Sequence, residues 1–289
     1  MPPESAATAP SLSAGRPIEE LLLPVVPGSL HQRALPLAAV LADAWRLPIR
    51  LIHVSNSISS DDQDLEAVLN GIRSWYPSIA VSSEHVFGDD PAKAIAEQLR
   101  PQTLTVLATD HIDKWRFKDS AAESLVNQAG IPVVLLGPNV TKDSVRHGAL
   151  KGEIVVGLDG SIAAESALEP AIGLARSTGR RVWLVNVAAQ PDTGDAMSMP
   201  KPGHYLQEVA ERYEPEVNVR WEVIQSNDPV EALEAFAERR QARFVVMSTG
   251  GRTDPTNHSM ASIALGVVSV SARPVLVVKS LETSTLDVG

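Results

Sequence analysis

Apolar runs and helical periodicities alternate along the second half of the chain. Four short apolar runs predict buried strands at 154–158, 182–187, 244–247 and 274–278. A fifth segment, 217–224, alternates apolar and polar residues, which is typical of a strand at the edge of a sheet. Strands that alternate with helices predict a mostly parallel sheet with helices on both faces.

The segments between these strands have the periodicity of helices. Leu206, Val209, Ala210 and Tyr213 lie at positions i, i+3, i+4 and i+7, so they form one apolar helical face. Three further helices are predicted at about 163–177, 229–241 and 259–271. Gly179 suits the end of the first of these, and Pro229 suits the first turn of the second.

The first half of the chain repeats the second. Four pairs of segments align: 28–29 with 160–161, 51–54 with 184–187, 90–91 with 228–229, and 132–136 with 274–278. Strands are accordingly predicted near 21–26, 49–54, 79–86, 103–108 and 132–136. Two long repeats indicate a duplicated domain. We therefore expect two tandem, doubly wound, five-stranded parallel sheets of strand order 3-2-1-4-5, with the α/β layering of flavodoxin.

The composition suggests how the chain divides. Residues 1–16 are rich in Ala, Ser and Pro and are expected to form a disordered arm. The first unit spans 17–138, a linker spans 139–152, the second unit spans 153–280, and 281–289 form a tail. The longest apolar runs are far shorter than the roughly 20 residues of a membrane-spanning helix, so we expect a soluble cytoplasmic protein.

Charge and residue types exclude several classes of function. The formal net charge is −10, with 12 basic and 17 acidic residues before Lys151 and 13 and 18 from there on, so nucleic acid is not an expected partner. The chain has no cysteine and its seven histidines are scattered, which argues against a metal site. Neither a Gly-x-Ser-x-Gly elbow nor a complete P-loop is present.

Candidate chemistry lies in two loops of the second unit. In a doubly wound sheet, ligands bind beyond the carboxyl ends of the strands where the strand order reverses. Asp159, after the first strand, is suited to accept hydrogen bonds from a ribose hydroxyl or an adenine amine, or else it or Ser161 caps the next helix. After the fourth strand, Gly250 and Gly251 either expose N–H groups to an anion, with Arg252 adding charge, or only form a turn.

The segment 245–278 resembles the carboxyl-terminal signature of the universal stress protein family. ATP-binding members of that family carry Gly, two residues, Gly, nine residues, then Gly and Ser or Thr. Here Ser248, Gly251, Ala261 and Ser262 occupy those four places with the same spacing. Gly251 and Ser262 match the pattern. Ser248 and Ala261 stand in the place of glycine, and their Cβ atoms weaken close contact between the backbone and phosphate.

The resemblance extends over nearly all of both repeats. The segment 155–161 is similar to the family's first strand, and Val187 corresponds to its adenine-contacting position. The resemblance implies an adenine nucleotide alpha hydrolase-like fold and a stress-response regulator that binds ATP or a related adenine nucleotide, with Mg²⁺ between phosphate oxygens. It implies at most very slow ATP hydrolysis, since no residue is suited to be a strong general base. The implied site residues are Gly157, Leu158, Asp159, Val187, Met247, Ser248, Gly250, Gly251, Arg252, Ala261, Ser262 and Ile263.

An interaction scaffold that has lost the ligand is the alternative function, and Ser248 and Ala261 favour it. The first unit departs further from the family pattern. Pro27 stands in the place of Asp159, and Asp110, Asp113 and Asp119 would repel a phosphate, so this unit is predicted to bind no nucleotide.

The last strand of each unit forms an apolar edge. We expect 133–136 to pair with 275–278 within the chain, since pairing covers both edges. The alternative is that a loop covers each edge locally. The family resemblance also makes a homodimer a candidate assembly.

Overall fold

The computed structural model describes residues 9–13, 16–25, 31–55, 62–109, 125–126, 131–141, 144–145, 152–189, 202–249 and 260–280. The first part of the chain contains β1 (Ser11–Ser13), β2 (Arg16–Pro17), β3 (Glu20–Val25), α1 (His31–Trp45), β4 (Ile49–Ser55), α2 (Asp62–Trp75), β5 (Val81–Phe87), α3 (Pro91–Ala96), β6 (Thr103–Ala108) and β7 (Val133–Leu136). The second unit contains β8 (Glu153–Gly157), α4 (Ile162–Glu165), α5 (Leu168–Thr178), β9 (Val182–Ala188), α6 (Pro202–Tyr213), β10 (Val219–Gln225), α7 (Pro229–Arg239), β11 (Ala242–Ser248), α8 (Met260–Val270) and β12 (Val275–Val278).

One continuous sheet runs through both units. Its ten strands have the order β10-β9-β8-β11-β12-β7-β6-β3-β4-β5. Within each unit the neighbouring strands are parallel and follow the order 3-2-1-4-5, so the predicted fold class is confirmed. The last strands of the two five-stranded units lie side by side and join the two sheets into one.

The junction between the units is antiparallel. Val275 lies opposite Leu135, Leu276 opposite Val134, and Val277 opposite Val133. All six side chains are at most 1% exposed. Because the junction is antiparallel, the strands of the two units run in opposite directions. The carboxyl ends of β8 and β11 therefore lie at the same edge of the sheet as the amino ends of β3 and β6.

The repeated Asp-Pro pair explains where two corresponding helices begin. Asp228 Oδ1 accepts hydrogen bonds from the backbone N–H groups of Val230 and Glu231, both at 3.0 Å. Asp90 caps α3 in the same way, accepting from residues 92 and 93. In both helices proline takes the first position, where its missing N–H costs nothing. Such a cap stabilises a helix by about 1 kcal/mol.

The predicted apolar helix faces are buried. Leu206 and Val209 on α6 are 0% exposed, and Leu65 and Ile72 on α2 are also buried. Edge strand β10 departs from simple alternation, because Trp221 is 39% exposed.

One predicted helix is divided in two. The expected helix at 163–177 is interrupted between α4 and α5, around Ser166 and Ala167. Pro170 accounts for the break, since it has no N–H to donate to the carbonyl of Ser166. Gly179 ends α5 as predicted, with a left-handed φ of 64°. At the far end of α7, Gln241 has a φ of 51°, and β11 consequently starts at Ala242, two residues before the predicted strand.

Part of the predicted disordered arm has a defined structure. β1 and β2 pair antiparallel, and the N–H of Ile18 donates to the carbonyl of Pro10 at 2.9 Å. Pro10 is buried and Ala9 packs against the core. Residues 9–13 and 16 are thus described as part of a pair of strands, and β1 contacts neighbouring helix α5. The rest of the arm lies outside the described residues.

The described part of the linker packs against the second unit. Asn139 Nδ2 donates to the carbonyl of Val270 at 2.9 Å, at the end of α8. Arg243 Nη1 donates to the carbonyl of Ser144 at 3.1 Å, and Val145 is 1% exposed. Among the helices described, none is long and apolar enough to cross a membrane.

Candidate functional site

The two predicted loops of the second unit leave the sheet side by side. β8 and β11 are parallel neighbours at the point where the strand order reverses, and Val156 lies opposite Val246. Asp159 and Ser248 therefore emerge at the same edge of the sheet. Helix α4, which follows the first loop, packs against β11. This is the place in the sheet where the strand order predicts a crevice.

The first loop is organised by a side-chain cap. Asp159 Oδ1 accepts hydrogen bonds from the N–H of Ser161 at 2.9 Å and from its Oγ–H at 2.6 Å. Ser161 Oγ in turn accepts from the N–H of Ala164 at 3.0 Å, so Ser161 is the N-cap of α4. Gly160 has a φ of 84°, a left-handed conformation that glycine adopts without strain. The capping alternative is therefore realised by Ser161, and Asp159 orients that cap.

Backbone hydrogen bonds hold the end of β8 in the sheet. The N–H of Leu158 donates to the carbonyl of Val185, and its carbonyl accepts from Asn186 Nδ2, both at 2.8 Å. A Cβ on Gly157 would lie 3.2 Å from Met247 Cε, so the Met247 side chain belongs to the core beside β8. Val187 is half-buried at the end of β9.

The second loop begins at a buried residue. Ser248 ends β11 and is 0% exposed, and the next N–H, of Thr249, donates to the carbonyl of Val278 at 2.8 Å. Gly250, Gly251 and Arg252 lie outside the described residues. The backbones of Ala261 and Ser262 lie in the first turn of α8, and half-buried Ile263 follows them.

Tyr205 is a candidate site residue that the sequence analysis missed. It lies on α6, and its hydroxyl is buried without a hydrogen bond of normal geometry. Burial, together with the negative charges of Glu165 and Asp159, raises the pKa of Tyr205 well above its usual value, so the phenol stays a neutral donor. Arg212 Nη2 donates to Glu165 Oε2 at 3.0 Å and thereby links α6 to α4. Only this long-range packing brings Tyr205 to the first loop, and no local pattern signals it.

In the first unit, an arginine lies at the carboxyl ends of strands β6 and β7. Arg33 on α1 donates from Nη2 to the carbonyls of Thr109 at 3.2 Å and Leu136 at 3.3 Å, and also to that of Gly137. Its guanidinium therefore binds backbone carbonyl groups just after β6 and at the end of β7. Pro27 and the three aspartates of the sequence prediction lie outside the described residues.

Comparisons with known proteins agree with this architecture. The sequence profile of the universal stress protein family matches residues 152–279. A universal stress protein from Archaeoglobus fulgidus DSM 4304 superimposes with a TM-score of 0.66 at 18% identity, covering 91% of this chain and 97% of that chain. A putative universal stress protein from Pseudomonas aeruginosa UCBPP-PA14 gives a TM-score of 0.60 at 16% identity, with 91% and 94% covered.

A protein of unknown function from Pseudomonas aeruginosa PAO1 has a TM-score of 0.56 at 15% identity, with 91% of this chain and 93% of that chain covered. At these identities the structural matches show the fold alone. No curated protein sequence matches the chain. The second unit is therefore similar in sequence to the universal stress protein family, and both units share the fold of solved structures from that family.

Proposed function

We propose that the second unit binds ATP or a related adenine nucleotide in the crevice beyond β8 and β11, and that the protein acts as a stress-response regulator. The observation that carries this proposal is the parallel pairing of β8 with β11 at the reversal of strand order. It brings the loop of Asp159 beside the loop after β11, whose residues keep the family's spacing. Ligands of doubly wound sheets bind at such a point.

Each loop has a distinct role in this proposal. Asp159 faces the ribose or the adenine amine, and the backbone of Val187 contacts the base. Tyr205 adds a neutral donor for an acceptor atom of the nucleoside, since its buried hydroxyl lies near Asp159 and makes no hydrogen bond of normal geometry. The backbones of Gly157, Leu158, Met247 and Ser248 form the floor.

The phosphates are assigned to the start of α8 and the loop before it. N–H groups in the first turn of a helix have no intrahelical acceptor, and the helix dipole attracts anions. Ala261, Ser262 and Ile263 lie in that turn. Gly250, Gly251 and Arg252 are proposed to complete the phosphate site, with Mg²⁺ bridging phosphate oxygens.

The scaffold alternative has one structural observation in its favour. Asp159 Oδ1 already accepts two hydrogen bonds from Ser161, so this part of the loop is satisfied by the protein itself. A protein that kept the fold and lost the ligand would retain this cap. The two functions differ in whether a nucleotide binds at all.

Titration calorimetry with ATP and Mg²⁺ separates them. We expect saturable binding at one site per chain, and affinity at least about tenfold weaker for Gly251→Val, because its side chain would obstruct the backbone approach of phosphate. The matched control is Gly71→Val on α2, where a Cβ meets no atom within 4 Å. Absence of saturable binding by the wild type would end the nucleotide proposal and favour the scaffold.

A regulator and an enzyme differ in turnover. We expect phosphate release from ATP to stay near the uncatalysed background, since among the described residues of the site the carboxylate of Asp159 is engaged with Ser161. Steady turnover that is lost in Gly251→Val would contradict the regulatory assignment.

A further inference from the structure

The N-terminal segment lies across a helix of the second unit, although it leads directly into the first strand of the first unit. We propose that the face of α5 around Gly173 is a docking surface for an extended backbone, and that residues 9–13 of this chain are its occupant. The segment would thereby fasten the first unit to the second. This inference does not depend on nucleotide binding.

Gly173 permits an unusually close approach of two backbones. A Cβ at this position would overlap the carbonyl oxygen of Ser11, and it would lie 3.0 Å from the carbonyl carbon and 3.3 Å from the nitrogen of the same residue. Carbon atoms in ordinary contact are about 3.5 to 4.0 Å apart. The φ of Gly173 is not positive, so the helix itself does not require glycine here. Contact with the segment is the feature of the structure that excludes a side chain.

Helix α5 has buried residues on its outer side as well as on the face that packs against the sheet. Its buried residues are Leu168, Pro170, Ala171, Ile172, Gly173, Leu174 and Ala175. Six of these are consecutive, so they point in every direction around the helix axis. A helix packed only against a sheet leaves one side to solvent. The N-terminal segment covers that remaining side of α5, which it contacts through β1.

The segment is held firmly at its other end by the first unit. Ile18 is 4% exposed, and the N–H of Glu19 donates to the carbonyl of Gln102 at 2.9 Å. Glu20, at the start of β3, accepts hydrogen bonds from Arg50 Nη2 at 3.0 Å and from Thr103 Oγ1 at 2.7 Å. One end of the segment is therefore fixed in the first unit, while β1 contacts helix α5 of the second unit.

Hydrogen exchange followed by mass spectrometry tests the docking in the full chain. We compare wild type with Gly173→Ala and with the control Gly71→Ala, whose added methyl group meets no atom within 4 Å. Docking predicts that peptides covering residues 9–18 exchange at least about tenfold faster in Gly173→Ala, as expected for a locally opened element, while β6 and β11 stay protected. Gly71→Ala is expected to match the wild type throughout.

A truncated chain that starts at Ile18 provides the second variant. Its α5 peptides are expected to exchange at least several-fold faster than in the full chain, since the helix loses its outer cover. The proposal is overturned if wild-type residues 9–18 exchange at the rate of an unstructured peptide, or if neither variant changes exchange. Protection of 9–18 that disappears on dilution would also overturn it, because the occupant would then belong to a second copy.

Discussion

Val277 lies directly opposite Val133 across the antiparallel junction of the two units, and both side chains are fully buried. Val277→Asp is therefore expected to destabilise the protein by at least about 3 kcal/mol, because a carboxylate in an apolar site finds no partner. Urea unfolding monitored by circular dichroism measures the change. Ser82→Asp on the exposed face of edge strand β5 is the control. An unchanged midpoint for Val277→Asp would show that the junction does not hold in solution.

A second backbone contact supports the same junction. A Cβ on Gly137, just after β7, would overlap the carbonyl oxygen of Val268 on α8 and lie 3.0 Å from its carbonyl carbon. Gly137→Ala is expected to cost about 1 to 3 kcal/mol of unfolding free energy, because the two units must move apart. Gly71→Ala should be neutral or slightly stabilising, since alanine restricts the unfolded chain. Equal stability of the two variants in urea would argue against the close approach.

Lowering the pH should reduce the folding stability of the first unit, because the carboxylate of Glu20 becomes protonated. Burial alone raises the pKa of Glu20, but hydrogen bonds from Arg50 and Thr103 and the charges of Arg50 and Arg100 outweigh it, so the net pKa is lowered. A lowered pKa in the folded state contributes stability that is present above the unfolded pKa, near 4.5, and is lost as the pH falls through the folded pKa.

Glu20→Gln should remove this dependence. Unfolding midpoints in urea between about pH 3 and pH 6 are expected to fall more steeply with acid in the wild type than in the variant. Glu97→Gln, which replaces an exposed glutamate, is the control. Parallel pH profiles for wild type and Glu20→Gln would contradict the assignment.

The sequence determines the fold more completely than the site, for a physical reason. Strands such as 182–187 and caps such as Asp228 are coded locally, by apolar runs and by the spacing of an aspartate before proline, so their positions follow from short segments. Arg33 and Tyr205 are different. Each reaches its place only after distant elements pack, and neither belongs to a local motif. The order 3-2-1-4-5 predicts where the two loops of the second unit meet. The position of Tyr205 depends on how α6 packs against the sheet, and that of Arg33 depends on how α1 packs in the first unit.

The hydroxyl of Tyr205 gives the nucleotide proposal a test outside the glycine loop. Tyr205→Phe should leave unfolding stability nearly unchanged, because the variant removes a buried hydroxyl that makes no hydrogen bond of normal geometry. If the hydroxyl contacts the nucleoside, ATP affinity should fall by about tenfold, corresponding to the loss of one hydrogen bond of about 1.4 kcal/mol. Calorimetry and urea unfolding on the same preparations measure the two effects.

Tyr213→Phe is the matched control on the same helix. Tyr213 donates its hydroxyl proton to Glu169 Oε1 at 3.2 Å, so its loss should lower stability by up to about 1 kcal/mol and leave ATP affinity unchanged. The opposite effects of two Tyr→Phe changes two turns apart would separate ligand contact from general loosening of α6. If wild type binds ATP and Tyr205→Phe binds it equally well, the hydroxyl has no contact with the nucleotide.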